Sequence, residues 1–203
     1  HAQADSYQKV IRYFQPQILL GLSATPERMD GGDILVDFNY RIAAEIRLPD
    51  ALNNKLLCPF HYFGITDSID FSRIKWDRGR YNNEELTNIL TVNDIRVRDI
   101  LDNLNKYTKD PESVSCIGFC ASKVHAVYMA DKFNQAGYKS AWLNADNSKR
   151  RDEILVAFKK KELQYLFVVD MFNEGVDIPQ IDTVLFLRPT ESLTIFLQQL
   201  GRG

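Results

Sequence analysis

The second half of the chain predicts an α/β fold, a parallel sheet wound with helices on both faces. Three observations carry that expectation. Strand-like and helix-like stretches alternate between residues 114 and 200. The strand candidates are unbroken apolar runs, the pattern expected when both faces of a sheet are covered. Finally, the first helix of this half opens on Ser122 and is stopped by Gly137, residues suited to the two ends of a helix.

In the first half, "PQILLGLSATP" reads as a strand ending in a turn, and "YRIAAEIRL" (40–48) as a second strand. "PDALNNK" (49–55) begins a helix that serves as a connector between lobes, and "PFHYFGIT" (59–66) is the next strand. Residues 66–92 are polar and weakly periodic, as in an insertion or surface excursion. The stretch 93–107 places Val97, Ile100, Leu101 and Leu104 on one helical stripe. Then come the strand "VSCIGFC" (114–120), the helix 122–137, the strand "KSAWLN", a helix over about 148–161 and the strand "YLFVVD" (165–170). After an irregular loop, "TVLFL" (183–187) is a strand and "TESLTIFLQQL" (190–200) a helix. In that helix Leu193, Phe196, Leu197 and Leu200 form the expected buried stripe, with Gln198 and Arg202 on the opposite face.

A chain of 203 residues, 45% hydrophobic and 26% charged, can bury a core, and its composition is that of a globular domain. No apolar run approaches the ~20 residues of a membrane span. The opening "HAQADSYQKV" carries no signal pattern, so a cytoplasmic location is expected. Cys58, Cys116 and Cys120 form no CxxC pair and read as small apolar fillers in a reducing compartment. The histidines are scattered, and no metal site is expected. A net charge of −2 does not announce a nucleic-acid binder, but backbone tracking needs only a local basic rim. "SKRR" (148–151) and "KKK" (159–161) could supply one or simply be solvated helix faces.

Function should lie in loops beyond the carboxyl ends of the strands. "GLSATPER" (21–28) places the hydroxyls of Ser23 and Thr25 directly after an apolar run. "VVDMFNEGVDIPQIDTV" (168–184) ends a strand at Asp170, then offers Gly175 and Asp177, suited to a ribose hydroxyl, a metal or an arginine. "FCASKVH" (119–125) opens a helix on Ser122 and Lys123, where free N–H groups attract phosphate, although capping explains Ser122 equally well. The last helix carries the Gln198 and Arg202 pair.

The order "SAT", "GFCAS", "EGVDIP", "QQLGRG" resembles motifs III to VI of superfamily 2 helicases, within the DEAD/DEAH-box group that includes type III restriction-enzyme-like motors. The resemblance covers nearly the whole chain apart from residues 66–92. It implies a RecA-like second helicase lobe over 55–203, truncated within motif VI. Residues 1–54 would be the tail of a first RecA-like lobe, with His1 at or just past the end of a DExH box. Ser23, Thr25, Gly175 and Gly201 would couple ATP state to lobe movement. Asp177 would contact the ribose or support a finger arginine, Arg202 would reach the γ-phosphate region, and Gln198 would assist it. Ser122, Lys123, Asn144, Lys149, Arg150 and Arg151 would line the nucleic-acid side. Val169 stands where many relatives have threonine, which removes a hydroxyl contact there.

Neither a GxxxxGK[ST] loop nor the Asp-Glu pair that holds magnesium occurs in these residues. ATP and Mg2+ are therefore expected in a full-length parent, with this fragment alone inactive and binding neither. The implied activity is an ATP-dependent helicase or translocase moving on nucleic acid, DNA ahead of RNA, in a restriction or repair setting. Nuclease or specificity domains are expected as partners, and a membrane is not. Two other readings stay open at this stage. One is a non-catalytic nucleic-acid-binding or protein-docking module, and the other an unrelated nucleotide-binding α/β enzyme.

Overall fold

The computed structural model describes residues 4–23, 34–77, 80–144, 150–169, 178, 180–190 and 192–201. The chain divides into two compact units, His1–Thr66 and Asp67–Gly203.

The first unit holds helix α1 (Asp5–Phe14), a 3-10 turn (Ile34–Phe38) and helix α2 (Leu48–Asn53). Gln8 Nε2 donates to Asp37 Oδ2 at 2.7 Å, tying α1 to the turn. Three strands expected here are not found: the described parts of 16–26, 40–48 and 59–66 are irregular or, from Leu48, helical. The reason is physical. An apolar run becomes a strand only when a neighbour completes its ladder and covers its faces. Among the described residues of this unit only Ala51 is buried, while Ile18, Leu20, Leu22 and Ile46 are exposed.

The second unit begins with a 3-10 turn (Phe71–Arg73) and a short antiparallel ribbon of β1 (Trp76–Asp77) and β2 (Arg80–Tyr81). Helices α3 (Asn83–Thr91) and α4 (Asp94–Tyr107) follow, opened by the side chains of Asn82 and Asn93. Residues 66–92 are thus no loose excursion. Ile74, Leu86 and Leu90 are buried with Ala121, and α3 packs on the helix that begins at Lys123. Leu86 and Leu90, one turn apart, give a polar segment enough of a stripe to dock.

The core alternates as expected: β3 (Cys116–Phe119), α5 (Lys123–Gln135), β4 (Ser140–Leu143), α6 (Arg151–Lys159), β5 (Tyr165–Val168), β6 (Thr183–Phe186), α7 (Leu193–Leu200). The four strands form one parallel sheet in the order β4-β5-β3-β6. Cys116, Tyr165 and Phe167 face α4 and α5, packed with Val97, Leu104, Met129 and Phe133. Ile117, Phe119, Leu166 and Val168 face the other way, onto Phe158 of α6. Burying each large apolar side chain contributes about 1.5–3 kcal/mol. This is an α/β parallel sheet covered on both faces. Gly137, at φ 93, lets the chain reverse after α5 in a conformation costly for other residues.

Helix α7 sits on the second face, its Phe196 ring stacked 4.9 Å from Phe186. It departs from the expected stripe, with Leu193 73% exposed while Ser192 and Gln199 are buried. Phe196, Leu197 and Leu200 of that stripe are half-buried as expected, so the departure is at Leu193, with Gln199 buried instead.

Candidate functional site

Parallel register brings the carboxyl ends of all four strands to one edge. Leu143, Val168, Phe119 and Phe186 form the last row. Backbone bonds carry the ladder slightly further. Cys120 N donates to Val168 O (2.8 Å), Val169 N to Leu143 O (3.3 Å) and Leu187 N to Phe119 O (3.1 Å). Asn144, Val169, Cys120–Ser122 and Leu187–Arg188 therefore border a single edge.

Ser122 caps α5, its Oγ accepting from His125 N at 3.2 Å and lying 2.9 Å from the Thr87 hydroxyl. Capping thus explains Ser122 in structural terms and fixes the helix start beside the edge. Lys123 follows as the first helical residue, exposed, with Nζ 5.9 Å from the Trp142 ring centre. Asn144 is buried at the end of β4. Arg150 is exposed and Arg151 half-buried at the start of α6, which has no side-chain cap. Gln198 is half-buried in α7, and Gly201 closes that helix by donating its N–H to Leu197 O at 3.0 Å. Ser23 lies exposed in the first unit. Thr25, Lys149, Gly175, Asp177 and Arg202 lie outside the described residues.

Two buried residues that the sequence reading passed over sit at the same edge. Arg96, 7% exposed, donates from Nε to Asp67 Oδ2 (2.8 Å) and from Nη2 to Leu187 O (3.0 Å). His125 is fully buried, and its Nδ1 accepts from Ala121 N at 3.2 Å. Burial first, and the Arg96 charge second, lower the His125 pKa to about 3, so the ring is neutral at ordinary pH. With Nδ1 accepting, the ring hydrogen is on Nε2. Neither His125 Nε2 nor Arg96 Nη1 finds an acceptor. A signal for both was present in the sequence. Arg96 falls on the stripe of Ile100 and Leu104, and His125 on that of Met129 and Phe133. A polar group on an apolar stripe marks a buried polar role. Cys120 lies at this edge as well, but burial raises its thiol pKa strongly. It is therefore no nucleophile.

Residues 96–203 match the family model of the helicase conserved C-terminal domain. The chain belongs to that family. This helicase C-terminal domain is 30% identical, over its full length, to a 51.5 kDa protein of a Lactococcus phage (isolate 7-9), of which it spans 44%. It is 26% identical, again over its full length, to the putative ATP-dependent helicase IRC3 of Saccharomyces cerevisiae, of which it spans 30%. Among solved structures, the Pyrococcus furiosus Hef helicase domain aligns with 54% of this chain and 21% of its own, at 23% identity and a TM-score of 0.41. The chain thus spans less than half the length of the curated relatives named here. Among the described residues no helix is long and apolar enough to cross a membrane.

Proposed function

We propose that this chain is the second RecA-like lobe of an ATP-dependent helicase or translocase, with residues 1–54 belonging to a first lobe. The observation that carries this reading is the gathering of Cys120–Lys123, Asn144 and Arg188 on one carboxyl edge of a helicase C-terminal domain. Such an edge is where open α/β sheets bind ligands.

The donor set fits part of a nucleotide site and not all of it. Lys123, Gln198, Arg188 and Arg202 are donors suited to phosphate. Among the described residues no group of acidic side chains comes together to hold a cation. The helicase resemblance assigns the phosphate loop and the magnesium ligands to a first lobe. ATP hydrolysis supplies the free energy. Arg202 would place its guanidinium at the γ-phosphate region with Gln198 beside it, a role worth roughly 10³–10⁵ in rate. Asp177 would contact the ribose or hold Arg202, and Ser23, Thr25, Gly175 and Gly201 would pass lobe closure to the chain. Ser122, Lys123, Asn144, Lys149, Arg150 and Arg151 would meet a nucleic-acid backbone. DNA is favoured over RNA, in a restriction or repair setting in the cytoplasm.

The test is ATP turnover by the full-length protein without polymer and with single-stranded DNA, duplex DNA or RNA. Stimulation by a polymer is expected, and the best activator names the track. Equal turnover in all four would overturn the motor reading in favour of a docking module. Replacing Arg202 with alanine should lower the stimulated rate at least about tenfold and leave nucleic-acid affinity unchanged.

A further inference from the structure

The β3–β6 ladder stops one rung before its backbone requires. Phe119 pairs with Phe186, and Leu187 N donates to Phe119 O. In a parallel ladder the next bond of this series would run from Ala121 N–H to Leu187 C=O. Neither group makes it. Ala121 N–H donates to His125 Nδ1 (3.2 Å), and Leu187 O accepts from Arg96 Nη2 (3.0 Å). The two halves of one rung are satisfied by two buried side chains from two helices, α5 and α4.

We propose that Arg96 and His125 are positioning residues that withhold this rung, holding apart the turn from β3 into α5 (Cys120–Ser122) and the loop after β6 (Leu187–Thr190). Strands that part inside a protein would normally leave buried backbone groups unpaired, which is costly. Here the imidazole takes the donor and the guanidinium takes the acceptor, so the strands separate with both satisfied. The ring stands on the same helix start as the lip, where the backbone N–H of His125 donates to Ser122 Oγ, the cap of α5. Arg96 is anchored in turn by Asp67 through Nε. The lips carry Ser122 and Lys123 on one side and Arg188 on the other, residues of the proposed ligand edge. The link from this gap to turnover rests on the motor reading; the split rung itself does not.

The first arm of the test is nuclear magnetic resonance on the 15N,13C-labelled chain. A scalar coupling across the hydrogen bond between the Ala121 amide nitrogen and His125 Nδ1 is expected. In His125→Leu, which cannot accept, that coupling should be replaced by one from the Ala121 amide to the Leu187 carbonyl. His125→Asn, whose side-chain oxygen can accept, should keep the rung open. Absence of the imidazole coupling in the natural chain overturns the proposal, as does a His125→Leu chain that folds without forming the rung. If His125→Leu does not fold, Arg96→Lys and His125→Asn still report the amide, and a rung formed in both overturns the proposal.

The second arm is polymer-stimulated ATP turnover by the full-length protein. His125→Leu and Arg96→Met should lower kcat at least about tenfold, with recovery in His125→Asn and Arg96→Lys. Unchanged kcat in a variant whose rung has closed removes the functional role of the gap. Should the natural protein show no stimulation, the motor reading fails, while the coupling still decides whether the pair withholds the rung.

Discussion

A neutral imidazole inside a protein makes stability depend on pH, and His125 is the residue where that dependence is concentrated. Its folded pKa of about 3 lies below the ordinary 6.5. In the unfolded chain the ring takes a proton near pH 6.5, while in the folded chain it resists until about pH 3. Its contribution is therefore complete above pH 6.5 and falls as the pH drops from there towards 3, by ~1.4 kcal/mol per unit. Asp70 and Asp94 also have lowered pKa values, the first through hydrogen bonds from Ser72 and the second through those from Lys132 and Tyr128. Both titrate below their ordinary 3.8, outside a window of pH 4.5 to 6.5. Urea unfolding across that window should cost the natural chain roughly 2 kcal/mol more than His125→Asn. Parallel slopes would mean that His125 is not held neutral. Among the described residues the charge acting on the ring is that of Arg96, and the Ala121 N–H donates to its Nδ1. The stripe it shares with Met129 and Phe133 marked His125 as a buried polar residue, but which atom accepts and which donates, and hence its charge state, was legible only once its partners were placed.

At the scale of an element, β3 shows why a short strand needs a glycine at its centre. A Cβ on Gly118 would lie 2.7 Å from Phe167 Cδ1 and 3.2 Å from Leu187 Cδ1. The Phe167 ring that fills this space also packs edge-on to Phe133, at 4.9 Å. Gly118→Ala should therefore force the ring off its seat and cost about 1–3 kcal/mol of stability, read as a lower urea midpoint at an unchanged slope. A variant as stable as the natural chain would show that Phe167 can move freely, contrary to its full burial. The strands and helices of this half were legible because each is covered on both sides by neighbours within the same unit, so apolar runs and caps coincide with real boundaries. The three strands read in the first unit failed for the converse reason. Ile18, Leu20 and Leu22 have the apolar content of a strand and, among the described residues, no ladder to join. Residues 74–90 erred in the other direction. Three buried apolar side chains are too few to register as a pattern, yet they suffice to dock α3 against α5.

For the whole molecule, the motor reading raises the question of how an acidic chain would hold a polyanion. With a net charge of −2 the overall field repels nucleic acid weakly, so binding must depend on the local edge. The helix α6 start is informative because Arg150 and Arg151 precede Asp152 and Glu153, both exposed in the first turn. Two opposed readings follow. If the arginines meet phosphates, each contact releases counterions and adds ~0.9 to the steepness of log affinity against log salt on duplex DNA. If they only balance the neighbouring carboxylates, the slope owes them nothing. The order of the motifs along the chain could suggest the first reading, but it cannot weigh a cation against the acid two residues away. Arg150→Gln combined with Arg151→Gln in the full-length protein should flatten the slope by about 2 for duplex DNA, with turnover at saturating polymer retained. An unchanged slope would assign the pair to a solvated face and leave phosphate contact to other cations of the carboxyl edge, such as Lys123 and Arg188.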